Sequence, residues 1–362
     1  MNCYFDNAAA MEQLADAGLP NLTGNQESPV SGAANAVRTA EEKILKTVCG
    51  RCSGEYCVVF THTGTDAICA VFDILSLKKE DTILLSGGEH AAVRAAAKRS
   101  GGVLHIIPGR EDGVILPEDI SSAANSKTTL AALHFVQPET GVIQDLASLQ
   151  KHLSHNTLLL VDAVQGIGKI PFDFPAVKPD FLIFSGQKLG VLSGAGIICR
   201  KKFAGAFRKL RQEEHRIGRV PPPVIIQLAD ALAVWYGKMD ERMTAAKRLN
   251  DLLFTELEKE IGGKFRKTVP ATVKTSPYIA HILLQNGYQG AIVSRALSGY
   301  GIVTASGSAC DAETKEPSAA LQWMKVPKQE IWNALRISFS PLNDEDGVRH
   351  LAGKLREILA QY

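Results

Sequence analysis

Short runs rich in β-branched and aromatic residues alternate with helix-like periodicity through most of the first 200 residues. The runs lie at 56–60, 82–86, 103–107, 129–135, 157–161, 181–185 and 196–199. Apolar residues at helical spacing separate most of them, as in 91–100 and 146–155. Parallel strands need a long crossover connection, which is usually a helix. The chain is therefore predicted to be an α/β protein whose βαβ units surround a mostly parallel sheet.

The pattern changes near residue 225, where one long helix is predicted to run to residue 261 and to end at Gly262 and Gly263. Separate short strands and a final amphipathic helix over 344–359 follow. We therefore predict two domains, and a length of 362 residues agrees with that number at about 150 residues per domain. The two predicted domains are a large α/β domain over 16–235 and a smaller α+β domain formed by 1–15 and 236–362.

The charge balance argues against a protein dedicated to nucleic acids. Lys and Arg number 40 and Asp and Glu number 38, so the net charge is +2. Nucleic-acid binders normally carry a clear basic excess. No membrane span is expected either, because the longest uncharged run, 275–294, contains Gln285, Asn286 and Gln289. The composition is that of an ordinary globular protein and does not by itself indicate a function.

The chain contains seven cysteines, an odd number for a framework of disulfides. The N-terminal residues lack the basic start and apolar stretch of a signal peptide. Both features predict a cytoplasmic protein with reduced thiols. Cys49 and Cys52 have the spacing of a metal or redox pair, but no second pair accompanies them, so packing at a helix end is the favoured interpretation and no metal site is predicted.

Polar side chains that could take part in catalysis or binding follow several of the predicted strands. Asp162 comes directly after one apolar strand, and Ser185, Gln187 and Lys188 come after another. Residues 63–65 open a helix whose first amides suit a phosphate, and residues 89–90 follow the strand over 82–86. Ligands of open α/β sheets bind at the carboxyl ends of the strands. A carboxylate, a lysine, an imidazole and a phosphate cradle at that edge fit pyridoxal phosphate (PLP).

At these residues the sequence resembles the class V branch of fold-type-I PLP-dependent enzymes, and specifically the cysteine desulfurases of the NifS/IscS kind. The resemblance covers nearly the whole chain. The segments that carry it are YFDNAA at 4–9, VDAVQGIGK at 161–169, FSGQK at 184–188, SGSAC at 306–310 and RISFS at 336–340. Their order and spacing make chance similarity improbable.

The resemblance implies a role for each matching residue. Lys188 would hold PLP as a Schiff base and move protons, Cys310 would be the nucleophile, and Arg336 would bind the substrate carboxylate. The remaining residues would bind the cofactor: Asp162 at the ring nitrogen, Gln165 at the ring hydroxyl, His90 stacked on the ring as a possible proton shuttle, and Gly64, Thr65, Ser185, Gln187 and Arg219 at the phosphate. The implied product is L-alanine, with a persulfide on Cys310 that passes sulfur to an acceptor protein, as in iron–sulfur cluster assembly.

The sequence departs from the family pattern at several of these positions. Gln187 replaces the usual histidine before the lysine, and Pro138 replaces an asparagine near the ring hydroxyl, so that Gln137 or Gln165 would have to compensate. Arg219 aligns with a threonine that reaches the phosphate of the partner subunit. The resemblance therefore implies a homodimer with L-cysteine as substrate, while these departures leave the choice of amino-acid substrate open.

Other interpretations remain at this point. His90 could cap a helix, Arg336 could belong to a structural ion pair, and Cys310 could be a buried apolar side chain. The chain could be another class V enzyme, such as a selenocysteine lyase or an aminotransferase. It could also be a sulfur-transfer or scaffold protein that kept the fold without catalysis. A nicotinamide-dependent oxidoreductase is the weakest alternative, because no GxGxxG sequence opens the first βα turn.

Overall fold

A computed structural model describes residues 1–13, 32–214, 216–307 and 316–361. The strands are β1 Tyr56–Thr61, β2 Thr82–Ser86, β3 Val103–Ile107, β4 Thr128–His134, β5 Leu158–Asp162, β6 Phe181–Ser185, β7 Ala195–Arg200, β8 Phe265–Lys267, β9 Ile279–Leu284 and β10 Ala334–Ser338. The helices are α1 Gly32–Cys49, α2 Gly64–Leu75, α3 Ala91–Arg99, α4 Pro117–Ala123, α5 Leu146–Gln150, α6 Phe174–Val177, α7 Ala204–Gln212, α8 Pro222–Gly237, α9 Met239–Ile261, α10 Gly290–Ser298, α11 Ala319–Trp323, α12 Lys328–Ile331 and α13 Glu345–Ala360.

A seven-stranded sheet has the strand order β1-β7-β6-β5-β4-β2-β3. Neighbouring strands are parallel except at β7, which is antiparallel to both β1 and β6. The prediction of an α/β protein with a mostly parallel mixed sheet is therefore confirmed. Each of the seven strands predicted before residue 200 is present, with ends that differ by at most one residue.

Apart from the edge strand β3, this sheet is buried on both faces, which explains why its strands are continuous apolar runs. Along β2, Leu84 joins a core cluster that includes Ile44 of α1 and Leu228 of α8. Its neighbours Ile83 and Leu85 point to the opposite face and join a cluster formed with α2, α3 and α7. The alternation follows from the two-residue repeat of a strand. Helices thus cover the sheet on both sides and leave its strand ends open to ligands.

A second sheet contains β8, β9 and β10, all antiparallel, in the order β10-β9-β8. Its core cluster combines residues of α9, α10 and α13 with Phe5 from the N-terminal segment. Isolated bridges from Tyr4 to Val303 and from Asp6 to Ser338 hold that segment beside β10. The predicted domain boundaries themselves stay a prediction.

The predicted single helix over 225–261 is wrong, because the structure has two helices. Lys238 interrupts them with φ −114° and ψ 18°, directly after Gly237 at the end of α8. The two helices pack on different partners, since α8 lies against α1 and α9 lies against α13. A straight helix cannot serve both surfaces, so the chain changes direction where a glycine weakens helical preference.

The helix predicted over 146–155 is also shorter than expected. It spans only Leu146–Gln150, with the Asp145 side chain accepting a hydrogen bond from the Ser148 amide at its start. The final helix begins one residue later than predicted because Asp344 caps it rather than joining it. Among the described residues, no helix is both long enough and apolar enough to cross a membrane.

Candidate active site

The carboxyl ends of β5 and β6, the start of α2 and the N-terminal segment enclose a cavity of about 150 Å³. The structure brings together nine of the residues predicted for the site. They are Gly64, Thr65, His90, Asp162, Gln165, Ser185, Gln187, Lys188 and Arg336. This is the edge at which ligands of open α/β sheets bind, as the sequence predicted.

The N-terminus of α2 forms an anion cradle on one side of the cavity. A capping box closes the helix start: the Thr63 side chain accepts from the Asp66 amide, and the Asp66 side chain accepts from the Thr63 amide. The amides of Gly64 and Thr65 lie between these two and take no part in the box. Helix-start amides of this kind attract anions through the helix dipole. Gly64 and Thr65 are therefore suited to bind a phosphate.

Asp162 is a buried carboxylate at the last position of β5. Its Oδ1 accepts a hydrogen bond from the Val164 amide at 3.1 Å, and in the described part of the chain no cation forms an ion pair with it. Burial raises the pKa of Asp162, with the nearby Glu89 carboxylate adding to the rise and His90 opposing it. A buried carboxylate that pairs with no lysine or arginine among the described residues favours a cationic ligand group, such as a protonated ring nitrogen.

His90 caps helix α3, which is the structural role that the sequence left open. Its Nδ1 accepts a hydrogen bond from the Ala92 amide at 3.2 Å, so this nitrogen carries no proton in the contact. The same ring lines the cavity beside Asp162. The cap fixes the ring at the cavity wall, so that the structural and the ligand-binding roles are compatible in one residue.

Glu89 and His134 form a buried pair behind this wall. The His134 Nδ1 lies 2.7 Å from the Glu89 Oε1, which also accepts from the His134 amide at 2.8 Å. His134 ends β4 directly beside Asp162 in β5. The sequence analysis did not identify His134, because it lay inside a predicted strand. The rule that functional groups gather at strand ends would have pointed to it.

Lys188 lies in the short turn Gly186–Lys188 that follows β6. Its Nζ donates to the Ala9 carbonyl, which brings the N-terminal segment against the lysine. Gln187 is exposed, and its carbonyl accepts from the Met11 amide at 3.0 Å. The lysine is thus half-buried at the cavity wall, where a ligand carbonyl can reach its amine.

The two glutamines proposed to compensate for Pro138 have different surroundings. Gln137 is buried in its own turn, where its Oε1 accepts from the amides of Glu139 and Thr140 and its Nε2 donates to Gly88. Gln165 lines the cavity, and its Nε2 donates to the Ala8 carbonyl at 2.8 Å. Gln165 is therefore the glutamine available to a ligand hydroxyl.

Arg336 lies on β10 with 2% of its surface exposed. Its guanidinium pairs with the Asp6 carboxylate at 2.7 Å and donates to the Pro138 carbonyl at 3.1 Å, while its buried Nε has no partner in the described structure. His281 lies opposite Arg336 on β9, and burial together with this guanidinium lowers the pKa of His281 to about 3. Because the His281 imidazole is neutral, Arg336 is the charged member of this pair of residues. The ion pair of Arg336 with Asp6 was not predicted from the sequence.

A second lysine, Lys169, is buried near the cavity. Its Nζ lies 5.9 Å from the Trp235 ring centre and 5.8 Å from that of Tyr278. Burial, with a contribution from the nearby Lys188, lowers the pKa of Lys169 to about 7. Lys169 does not line the cavity, so Lys188 is the one lysine among the described cavity-lining residues.

Two predicted site residues are not placed in this cavity. Arg219 is exposed and does not line the cavity of its own chain, so its assignment to a phosphate stays a prediction. Cys310 lies outside the described residues. The pair Cys49 and Cys52 is buried in the core cluster at the end of α1, and burial raises the pKa of Cys49 to about 12. That burial agrees with the packing interpretation of the pair.

The arrangement fits PLP in three independent respects. The α2 N-terminus offers amides to its phosphate, Asp162 offers a buried negative charge to its ring nitrogen, and Lys188 offers an amine to its aldehyde. Among the described residues, no cluster of three or more His, Cys, Asp or Glu side chains has the arrangement of a metal site.

Comparison with known proteins finds similar proteins that align over nearly the whole chain. The family model described as Aminotransferase class-V matches residues 8–351. A cysteine desulfurase from Nostoc sp. is 25% identical in an alignment of 382 positions, which covers 98% of this chain and 92% of that protein. A cysteine desulfurase from Gluconacetobacter diazotrophicus is 28% identical in an alignment of 384 positions, which covers 99% of this chain and 93% of that protein.

Solved structures show the same fold. A NifS-like protein superposes with a TM-score of 0.84 at 25% identity, and the match covers 100% of both chains. A NifS-like protein from Rickettsia africae gives a TM-score of 0.85 at 22% identity, covering 99% of this chain and 100% of that one. The fold-type-I architecture implied by the sequence resemblance is therefore confirmed.

Proposed function

Because the chain belongs to the class-V aminotransferase family, we propose that it is a PLP-dependent cysteine desulfurase, which converts L-cysteine to L-alanine and transfers the sulfur to an acceptor. The observation that carries the proposal is the meeting of Lys188, Asp162 and Arg336 in one cavity. The similar proteins named cysteine desulfurase, which align over almost the whole chain, support this choice among class-V activities.

Each cavity residue has a task that follows from its surroundings. PLP, when bound, supplies an electron sink that stabilises negative charge at the substrate α-carbon. The amides of Gly64 and Thr65, with Ser185, hold the phosphate, and Gln165 donates to or accepts from the ring hydroxyl. Asp162 balances the ring nitrogen, and His90 forms the cavity wall beside it.

Lys188 has two tasks, attachment of the cofactor and movement of the proton at the substrate α-carbon. Its contact with the Ala9 carbonyl shows that the amine reaches the cavity from the turn after β6. The short, hydrogen-bonded turn fixes the backbone of Lys188, while its long side chain lets the amine move between these two tasks. Arg336 binds the substrate carboxylate through the guanidinium edge that Asp6 and Pro138 do not occupy.

Cys310 performs the sulfur transfer in this proposal. Its thiolate attacks the substrate sulfur, the carbon–sulfur bond of the substrate breaks, and the sulfur remains on Cys310 as a persulfide. The carbon skeleton takes up a proton and leaves as L-alanine. The persulfide then passes its outer sulfur to an acceptor protein and regenerates the thiol.

We further propose a homodimer located in the cytoplasm. Arg219 does not line the cavity of its own chain, which is compatible with the expectation that it serves the partner subunit's phosphate. The six cysteines among the described residues are free thiols, which agrees with a reducing compartment. Several similar proteins carry the name IscS, which makes iron–sulfur cluster assembly the first pathway in which to seek the acceptor.

Replacement of Cys310 by alanine is expected to abolish the protein-bound persulfide and to lower sulfide release from L-cysteine by at least about a hundredfold, because the nucleophile for sulfur is lost. PLP binding should be unchanged, since the cavity residues remain. The measurement is sulfide release with dithiothreitol present, combined with mass spectrometry of the persulfide and the visible absorbance of bound PLP.

Cys69→Ala is the matched control, since Cys69 is a half-buried thiol on α2 that does not line the cavity. It should keep both the persulfide and the activity. Full sulfide release by the Cys310→Ala variant would contradict the persulfide mechanism and would favour a lyase of the selenocysteine type. An apoprotein that binds no PLP would favour a scaffold role instead.

Arg336→Lys is expected to raise KM for L-cysteine by about tenfold to a hundredfold, because a lysine cannot present the paired donors of a guanidinium to a carboxylate. The Asp6 pair is also weakened, but PLP absorbance should persist. Arg266→Lys is a suitable control, because Arg266 pairs with Glu330 at the surface of the same small sheet. An unchanged KM in the Arg336→Lys variant would contradict the assignment of this residue to the substrate.

A further inference from the structure

Two cysteines face each other across the antiparallel pair of β1 and β7. Cys57 and Cys199 occupy directly opposed positions in the register, and their Sγ atoms are 3.5 Å apart. The Cys57 Sγ also lies 3.7 Å from the Cys199 carbonyl oxygen, to which its thiol donates. The two residues are 142 positions apart in sequence, so only the strand pairing brings them together. No step of the proposed reaction uses either of them.

The two thiols differ in exposure. Cys199 is fully buried in the core on one face of the sheet, whereas Cys57 is half-buried. Cys57 also lines a surface groove formed by β1 and helix α1, together with Lys201. The groove contains the cations Arg38 and Lys46 and the carboxylates Glu41 and Glu42. Cys57 is therefore the more accessible thiol of the pair, whereas Cys199 has no exposed surface of its own.

The surroundings also divide the thiols by acidity. The hydrogen bond from the Cys199 thiol lowers the pKa of Cys57, and the Lys201 ammonium acts in the same direction, against burial and the Glu41 carboxylate. The same contact and burial raise the pKa of Cys199. A thiolate is the reactive form of cysteine. Cys57 is thus the thiol suited to attack an electrophile, and Cys199 is a protonated thiol next to it.

We propose that Cys57 and Cys199 form a redox-active dithiol that hydroperoxides oxidise reversibly to a disulfide between β1 and β7. The Cys57 thiolate attacks one oxygen of the hydroperoxide, the O–O bond breaks, and Cys57 becomes a sulfenic acid while the other oxygen leaves as hydroxide or alkoxide. The Cys199 sulfur then attacks the Cys57 sulfur, displaces hydroxide, which takes up a proton from the Cys199 thiol and leaves as water, and forms the disulfide. The dithiol loses two electrons, which reduce the O–O bond.

The strand geometry permits this bond at the cost of a small movement. A disulfide has an S–S length of about 2.05 Å, so the sulfurs must approach each other by about 1.5 Å from their observed separation. Opposed residues of an antiparallel pair have Cβ atoms about 4.5 to 5.5 Å apart, whereas a disulfide needs about 3.5 to 4.5 Å, so the two strands must also move closer at this position. We therefore expect a disulfide that thiol reductants reverse readily.

The location separates this dithiol from the candidate active site. Cys57 lies at the second position of β1, whereas the cavity lies beyond the opposite end of that strand, at Thr63 and Gly64. The modification site therefore stands whether or not the chain is a desulfurase. Its test does not measure activity, so a failure of this proposal is distinct from a failure of the proposed function.

The test is peptide mapping of the full-length protein after treatment with hydrogen peroxide. Free thiols are blocked by alkylation under denaturing conditions, and the protein is digested with trypsin without reductant. Cleavage at arginine and lysine leaves Cys57 in peptide 52–78 and Cys199 in peptide 189–200. The expected result is a crosslinked pair of these peptides with two hydrogen atoms fewer than their sum, which dithiothreitol separates.

Peptide 52–78 also contains Cys52 and Cys69, so variants identify the partner. The crosslink should disappear in Cys57→Ser and in Cys199→Ser and should persist in Cys52→Ser and Cys69→Ser. Cys69 is the closest control, because it is also half-buried and its Sγ accepts from the Arg99 guanidinium at 3.1 Å.

Fragmentation of the crosslinked peptides from the unsubstituted protein gives the same answer if a variant fails to fold. A bond from Cys199 to Cys52 or Cys69 would overturn the proposal. So would the absence of any crosslink to peptide 189–200 at peroxide concentrations that oxidise Cys57 to a sulfenic acid or beyond.

Discussion

A Lys188→Ala variant is expected to lose covalent attachment of PLP and to turn over L-cysteine at least about 10⁴-fold more slowly than the unsubstituted protein, the scale seen when a reacting side chain is removed. Lys188 is the one lysine among the described cavity-lining residues, so no second amine takes over attachment or proton movement. The readouts are the visible absorbance of bound PLP, the adduct trapped by borohydride, and the rate of alanine formation.

Lys209→Ala is the control for this experiment, because Lys209 is an exposed residue of α7 that does not line the cavity. It should keep the absorbance and the activity. The proposed function predicts a borohydride adduct on the peptide that contains Lys188. An adduct on Lys169 instead, or undiminished alanine formation in the Lys188→Ala variant, would contradict the assignment of the reactive amine.

An Asp162→Asn variant is expected to bind PLP roughly 10²- to 4 × 10³-fold more weakly, because loss of one partner from a buried charge pair costs about 3 to 5 kcal/mol. The carboxylate is buried and pairs with no lysine or arginine in the described structure, so it is available to the ring nitrogen. Equilibrium titration of the apoprotein with PLP measures this change. An unchanged dissociation constant would contradict the role of Asp162.

The same substitution should have the opposite effect on the stability of the apoprotein. Burial raises the folded-state pKa of Asp162 above its unfolded value, so between the two values the folded state holds more protons. The free energy of unfolding therefore falls as pH rises through this interval, by about 1.4 kcal/mol for each unit of the pKa difference. Asp162→Asn removes this fall, and the apo variant should be more stable than the apoprotein above the folded-state pKa.

Denaturant unfolding of both apoproteins between about pH 5 and 8 measures this difference. Asp173→Ala provides the contrast, because the Asp173 side chain caps helix α6 by accepting from the Ala176 amide and alanine cannot replace that acceptor. Loss of that cap should destabilise the protein by about 1 kcal/mol. A destabilised Asp162→Asn apoprotein would show that this carboxylate serves the fold rather than the ligand.

The large sheet could be predicted because its signals are local. A strand buried on both faces is a short apolar run, and the intervening helices have a different spacing of apolar residues. Polar residues at the ends of such runs, such as Asp162 and Lys188, are visible for the same reason. The order of the strands was not visible, because neighbouring strands such as β2 and β4 are separated in sequence by other elements.

The break between α8 and α9 shows where local signals fail. Apolar residues continue at helical spacing through Gly237, so the pattern favours one helix. The structure ends α8 there because its partner is α1, while α9 packs on α13. Which surface a helix packs against is a property of the whole fold, and periodicity carries no information about it.

The sequence by itself determined the strands, the helices between them and the residues that stand at their ends, because polarity and spacing act between near neighbours. Tertiary structure alone decided which distant side chains meet. Arg336 pairs with Asp6 across 330 positions, Cys57 faces Cys199 across 142, and Glu89 holds His134 across 45. These contacts depend on strand order and register, which are set by packing of the entire chain.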